Sequence, residues 1–254
     1  MIAFAEVIVK KLLALNFVCI SVLILMFCSL AFGQNATFDM IDWMTMDPFG
    51  SHLTGSGTSM WPVMDAAHSQ FYWVKGANGY PWDVKKYDAN YIYDWVTEVN
   101  WSDPRTYKRH IGPTGKGYPI TPRFVPYTIG DPAKMLSQIK IPPSGTNFEI
   151  HSSCTQYTKS NLGYAKMEIW GPYYESLGGD LPPNLETLHH KWMWSCDASY
   201  NNCQTKEVFT LAQAYGNVRW QNYKLVNGSY SLVQTSLKNI VVPGSISAVH
   251  PCWN

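Results

Sequence analysis

LHHKWMWSCDASYNNC, residues 188–203, sets two histidines, two tryptophans and two cysteines within sixteen positions. Read with the two-residue period of a strand, Leu188, His190, Trp192 and Trp194 face one way, and His189, Lys191, Met193 and Ser195 the other. The two histidines therefore point to opposite faces and do not share a metal ion. Trp192 and Trp194 share a face, which is either a core face or a ligand platform. Cys196 ends the strand, and the polar residues 197–202 form a loop that Cys203 closes. The stretch reads as a strand running into a stapled turn, and it sets the expectation of a β-protein.

The rest of the chain fits that expectation. Residues 69–74, 91–99, 147–151, 165–170 and 218–226 are rich in aromatic and β-branched residues or alternate apolar with polar. Asn227-Gly228 separates residues 218–226 from residues 229–234, a strong short signal for a two-residue hairpin turn. A further strand is expected near residues 239–242. Helical signals are few. Residues 132–139, with Asp131 as N-cap and Pro132 at the first helical position, predict one short helix. Residues 206–215 predict a second. Residues 111–145 carry seven prolines, which are excluded from central strands, and read as a long Pro/Gly-rich connection. The expected fold is mainly β, a β-sandwich or jelly roll with long irregular loops and one or two short helices.

The first 33 residues read as an export signal. Lys10 and Lys11 precede an apolar run over residues 12–32, and Ala31 and Gly33 supply the small residues of a cleavage site. The run approaches the roughly 20 residues that span a bilayer, so an uncleaved N-terminal anchor is the rival. Residues 34–254 are then a single secreted, periplasmic or extracellular domain. No second membrane span is expected after the signal. Without Glu6, Lys10 and Lys11 the chain carries 17 basic and 17 acidic residues. No basic cluster or charge run occurs along it, which argues against nucleic acid as a partner.

Four cysteines remain after the signal. An even number in an exported chain reads as disulfides, with Cys196–Cys203 and Cys154–Cys252 the preferred pairing. There is no CxxC spacing, and no metal or other cofactor is expected.

The aromatic content exceeds what one core of this size needs, with 11 tryptophans and 16 tyrosines. Tyr91, Tyr93 and Trp95 alternate on one strand face, opposite Asp94 and Glu98, and with Trp192 and Trp194 they are the ligand-binding candidates. Rows of rings stack on the C–H faces of sugars, so a polysaccharide or cell-surface glycan is the expected partner. Glu149 and Glu168, with His151 two residues after the first and Trp170 two after the second, are the catalytic candidates. If their strands pair, all four side chains meet on one sheet face and form the carboxylate pair of a glycan-cleaving enzyme. The leading expectation is non-catalytic glycan or surface recognition. A glycoside hydrolase or lyase, and a purely structural envelope protein, are the alternatives.

Overall fold

Leu185–Cys196 is a strand, and its alternation sorts side chains as the sequence requires: Leu188, His190 and Trp192 are buried together. In a computed structural model of the chain, residues 34–45, 51–54, 60–75, 81–100, 102–179, 181–240 and 252 are described. The expected export segment, residues 1–33, lies outside them. In chain order the strands are β1 (Asn35–Asp39), β2 (Ser51–Thr54), β3 (Met60–Asp65), β4 (Gln70–Lys75), β5 (Pro81–Tyr87), β6 (Tyr91–Thr97), β7 (Tyr107–His110), β8 (Tyr118–Pro122) and β9 (Phe124–Thr128). They continue with β10 (Lys134–Ile141), β11 (Asn147–His151), β12 (Tyr157–Asn161), β13 (Tyr164–Glu175), β14 (Leu185–Cys196), β15 (Cys203–Ala212), β16 (Gly216–Val226) and β17 (Ser229–Ile240). One short helix, α1 (Met40–Met44), follows β1.

Two large antiparallel sheets dominate. One runs β10-β13-β14-β15-β16-β17-β2; the other runs β12-β11-β7-β6-β5-β4-β3, with β8 joined to β6 off that path. Within each sheet most neighbours in space are neighbours in sequence, so short hairpins connect them. The β16–β17 hairpin turns on Asn227 and Gly228, both at positive φ (50° and 79°), the backbone of a type I′ turn. Contacts divide the chain into a small unit, in which residues 34–37 meet residues 126–131, and a large unit of residues 38–125 and 132–254 that contains both sheets. Within the large unit the sheets pack face to face as a sandwich. His190 of β14 bonds the carbonyl of Ile120 in β8 (2.9 Å), and Lys85 of β5 lies under Trp192 of β14 (5.0 Å to the ring). Between them sit the buried side chains of Ile92, Ile120, Met167, Ile169, Leu188 and Leu211.

Three local expectations are corrected. Residues 134–141 are strand β10, not a helix. An isolated helix of two turns is marginal in water, whereas pairing with β13 from Lys134↔Gly171 to Ile141↔Ala165 satisfies this backbone. Residues 206–215 run through β15 into a turn. Flanked on both edges by β14 and β16, they alternate Val208 and Thr210 against Phe209 and Leu211. The Pro/Gly-rich residues 111–145 are not a bare connection, because they hold β8, β9 and β10. Pro119 and Pro122 lie in β8, which pairs with β6 alone, and an edge strand tolerates a missing N–H.

Two disulfides close the large unit: Cys196–Cys203, seven residues apart, and Cys154–Cys252, 98 apart. They mark a fold matured outside the reducing cytosol. Among the described residues no helix is long and apolar enough to cross a membrane.

Candidate functional site

The cross-strand register of the seven-stranded sheet assembles its outer face. Glu168 pairs with Lys191 and with Gln138, Lys166 with Lys140 and Met193, Met193 with Lys206, and Lys206 with Tyr223. Partners in register share a face. Lys140, Lys166, Lys191 and Lys206, from four consecutive strands of the sheet, therefore stand on the side opposite His190 and Trp192. A basic cluster exists in space that is invisible along the chain, which corrects the sequence expectation of none.

Aromatic rings interleave these cations. Lys191 Nζ lies 3.9 Å from the centroid of Trp170. Lys206 Nζ lies 4.2 Å from that of Tyr223 and 4.1 Å from that of Tyr230, and Lys140 lies 5.4 Å from Tyr200. Among the described residues, the carboxylate that lies among the four lysines, Glu168, is already used. It accepts from Trp170 Nε1 (2.7 Å) and Gln138 Nε2 (3.0 Å), and Lys166 Nζ is 3.2 Å away. Burial pushes the Glu168 carboxyl up, but those bonds and Lys166 more than offset it, so it stays ionised below its usual range. Lys191 is held below the usual ammonium range by burial and by Lys206 and Lys166, against the pull of Glu168. Burial likewise lowers Lys206. Partly desolvated cations that repel one another gain from any anion laid across them.

Further along this face, Glu175 accepts from Thr187 Oγ1 (2.7 Å), His189 Nε2 (2.8 Å) and Arg219 (2.9 Å). Tyr173 stacks on His189 at 4.2 Å. The bond to Glu175 assigns the proton to Nε2 and leaves Nδ1 as the basic nitrogen.

The sequence-derived residues are not brought together. Glu149 and His151 lie on β11 and Glu168 on β13, in different sheets, so the proposed four-residue face does not exist. Each carboxylate has its own partners. Glu149 is clamped by Arg109 (2.5 and 3.0 Å) and His151 (2.9 Å), and His151 stacks on Tyr107 at 4.3 Å. Of the aromatic candidates, Tyr93 and Trp192 are buried, at 7% and 6% exposure. Tyr93 donates to Asp88, and Trp192 Nε1 lies 3.0 Å from His190 Nε2. Tyr91 is exposed, and Trp95 and Trp194 are half-buried, with Lys86 Nζ 3.5 Å from the Trp95 ring. Tyr91, Tyr93 and Trp95 do not form an open row. Asp94, on the opposite strand face, is 1% exposed, because that face meets the other sheet.

Asp94 belongs to a polar cluster inside the sandwich. It pairs in register with Lys85, and Lys85 Nζ reaches Asp94 Oδ1 at 2.6 Å and Asp83 Oδ1 at 2.5 Å. Tyr118 donates to Asp94 Oδ2 at 2.8 Å, and His110 Nε2 stands 3.3 Å from the same oxygen. Burial pushes Asp83 up to about 6 and Glu207, which faces the same interior, up to about 7. It drives His110 down to about 4 and His190 to about 3, so both imidazoles are neutral at neutral pH. Asp83 and Lys85, two residues apart, share the inward face of β5, and Lys85 meets Asp94 across the β5–β6 pair. The sequence signal for this cluster is the Asp83-Val-Lys85 spacing, which places both charges on one face of a strand; residues 81–87 are not among the strands expected from the sequence.

Among the described residues no group of three His, Cys, Asp or Glu side chains is arranged to hold a metal ion. Compared with known proteins, the chain matches no family model, no curated sequence and no solved structure.

Proposed function

We propose that the protein is an exported recognition module that binds an acidic glycan across the outer face of the seven-stranded sheet. The observation that carries this reading is the alternation of cation and ring on that face: Lys191 on Trp170, and Lys206 between Tyr223 and Tyr230. Rings supply stacking area for sugar C–H faces. Lysines beside them meet carboxylate or sulfate groups, and their long stems cover the apolar side chains beneath. The expected glycan partner is kept, but its charge and the residues that meet it change: Trp170, Lys191 and Lys206 replace Tyr93 and Trp192. The disulfides fit an extracytoplasmic setting, where acidic glycans are found on surfaces. The glycan-cleaving alternative loses its named residues, since Glu149 and Glu168 stand in different sheets.

Affinity electrophoresis in gels holding a soluble polyuronate or a neutral glucan tests the reading. The polyuronate should retard the protein and the neutral glucan should not. Equal migration in both gels and in plain gel would overturn it. Stronger retention by a single-stranded oligonucleotide than by the polyuronate would replace the glycan with a nucleic acid.

A further inference from the structure

We propose that Lys85 and Asp94 become covalently joined by an amide bond between the Lys85 Nζ and Asp94 Cγ atoms, formed by the fold itself. The two residues are direct partners on adjacent strands β5 and β6, and both are buried, at 2% and 1% exposure. Lys85 Nζ sits 2.6 Å from Asp94 Oδ1, within attack range of the carbon that bears it. The site is closed from above by the Trp192 ring, 5.0 Å from Nζ.

The remaining groups stand where such a condensation needs them. Asp94 Oδ2 receives the Tyr118 hydroxyl at 2.8 Å and faces His110 Nε2 at 3.3 Å. Those donors polarise the carbonyl and hold the oxyanion of a tetrahedral intermediate. Asp83 Oδ1, 2.5 Å from Nζ, is the proton shuttle. In the resting state Lys85 is an ammonium: burial alone would lower it, but Asp83 and Asp94 more than offset that. Asp83, which burial pushes up to about 6, is the carboxylate best able to take its proton.

The step balances. Nζ gives one proton to Asp83, which passes it to Oδ1 and makes Asp94 a carboxylic acid. The neutral amine attacks Cγ and forms the C–N bond, while the C=O electrons move to Oδ2. Nζ then gives its second proton through Asp83 to Oδ1, which leaves as water as the C–O bond breaks and the C=O bond re-forms at Oδ2. Lysine ammonium plus aspartate becomes amide plus water, with no oxidant or co-reactant. Release of water from a closed site favours the product, and replacing a buried ion pair by a neutral amide removes its desolvation cost. The amide oxygen keeps its bond from Tyr118.

Intact mass of the purified protein after full reduction is the test. The chain should be one water lighter than its sequence, and tandem fragmentation should find a branched peptide joining the β5 and β6 segments through Lys85 and Asp94. Lys85→Arg and Asp94→Ala should restore the full mass. Asp83→Asn and Tyr118→Phe, which keep both reacting groups, should lower the linked fraction. A parent chain at full mass overturns the proposal and leaves Lys85 and Asp94 an ion pair. So does a water loss that maps to a cyclised aspartate without branching. Because the parent alone decides, a variant that fails to fold does not shield the proposal.

Discussion

Lys191 Nζ stands 3.9 Å from the centre of the Trp170 ring, on strands that are neighbours in the seven-stranded sheet. Each side chain thereby holds the other in place on an outer face. Trp170→Ala removes the stacking surface and frees the lysine, so binding of a soluble polyuronate should weaken by about tenfold, equivalent to ~1–2 kcal/mol for a cation–ring contact with its stacking area. Calorimetry measures it. An unchanged affinity would remove Trp170 from the binding face.

Trp192 provides the contrast. It is buried, packs edge-on against His190 with ring centres 5.4 Å apart and packs on Phe209 with ring centres 4.8 Å apart. Trp192→Ala should cost about 3–5 kcal/mol of stability, as core truncations of large rings do. Trp170→Ala should cost much less. Thermal melts of the two variants side by side check the assignment, and equal losses would contradict it.

Glu207 makes stability depend on pH. Burial raises its carboxyl to about 7 from an ordinary value near 4.5. The native state therefore binds a proton that the unfolded chain has released, and stability falls as pH rises through that interval. Glu207→Gln keeps the shape without the charge. It should leave the melting temperature unchanged at pH 4 and raise stability at pH 8 by on the order of 2–3 kcal/mol. His110 and His190 act in the opposite sense. Buried neutral and lowered to about 4 and 3, they cost stability as pH falls below the unfolded value near 6.5. The Glu207 effect is thus cleanest above that pH, and a flat difference between variant and parent would contradict it.

The Cys154–Cys252 bond closes the longer loop, 98 residues in sequence. Cys154→Ser with Cys252→Ser should destabilise the fold by about 4–5 kcal/mol in the chain-entropy account, and opening Cys196–Cys203 by about 2–3 kcal/mol. Denaturant titrations of the two double variants give the order. A larger loss from the short loop would show that native-state contacts around it dominate.

The strands, the hairpin turn at Asn227-Gly228 and the pairing of the cysteines were legible because each rests on local pattern or on counting. The basic face was not. Lys140, Lys166, Lys191 and Lys206 are at least fifteen residues apart in sequence, and only the register of four strands gathers them. The same holds for the carboxylates: Glu149 and Glu168 read as neighbours because their strands are close in the chain, yet β11 and β13 belong to different sheets. Strand β10 was misread because Asp131-Pro132 mimics a helix start, while the partner that makes it a strand, β13, begins more than twenty residues later. Lys85 was not legible because the face of β5 that meets the other sheet is set by the pairing of β5 with β6, which no local pattern shows.

Binding of the parent protein to a soluble polyuronate, followed by calorimetry at rising salt, addresses the central claim most directly. Anion recognition by Lys166, Lys191 and Lys206 predicts saturable binding that weakens steadily with ionic strength, because partly exposed charges are screened. It also predicts that Lys191→Ala with Lys206→Ala sharply reduces the salt-dependent part, leaving what Lys166 contributes, while the melting temperature is kept. No binding at low salt, or binding that neither salt nor the double variant alters, would contradict it.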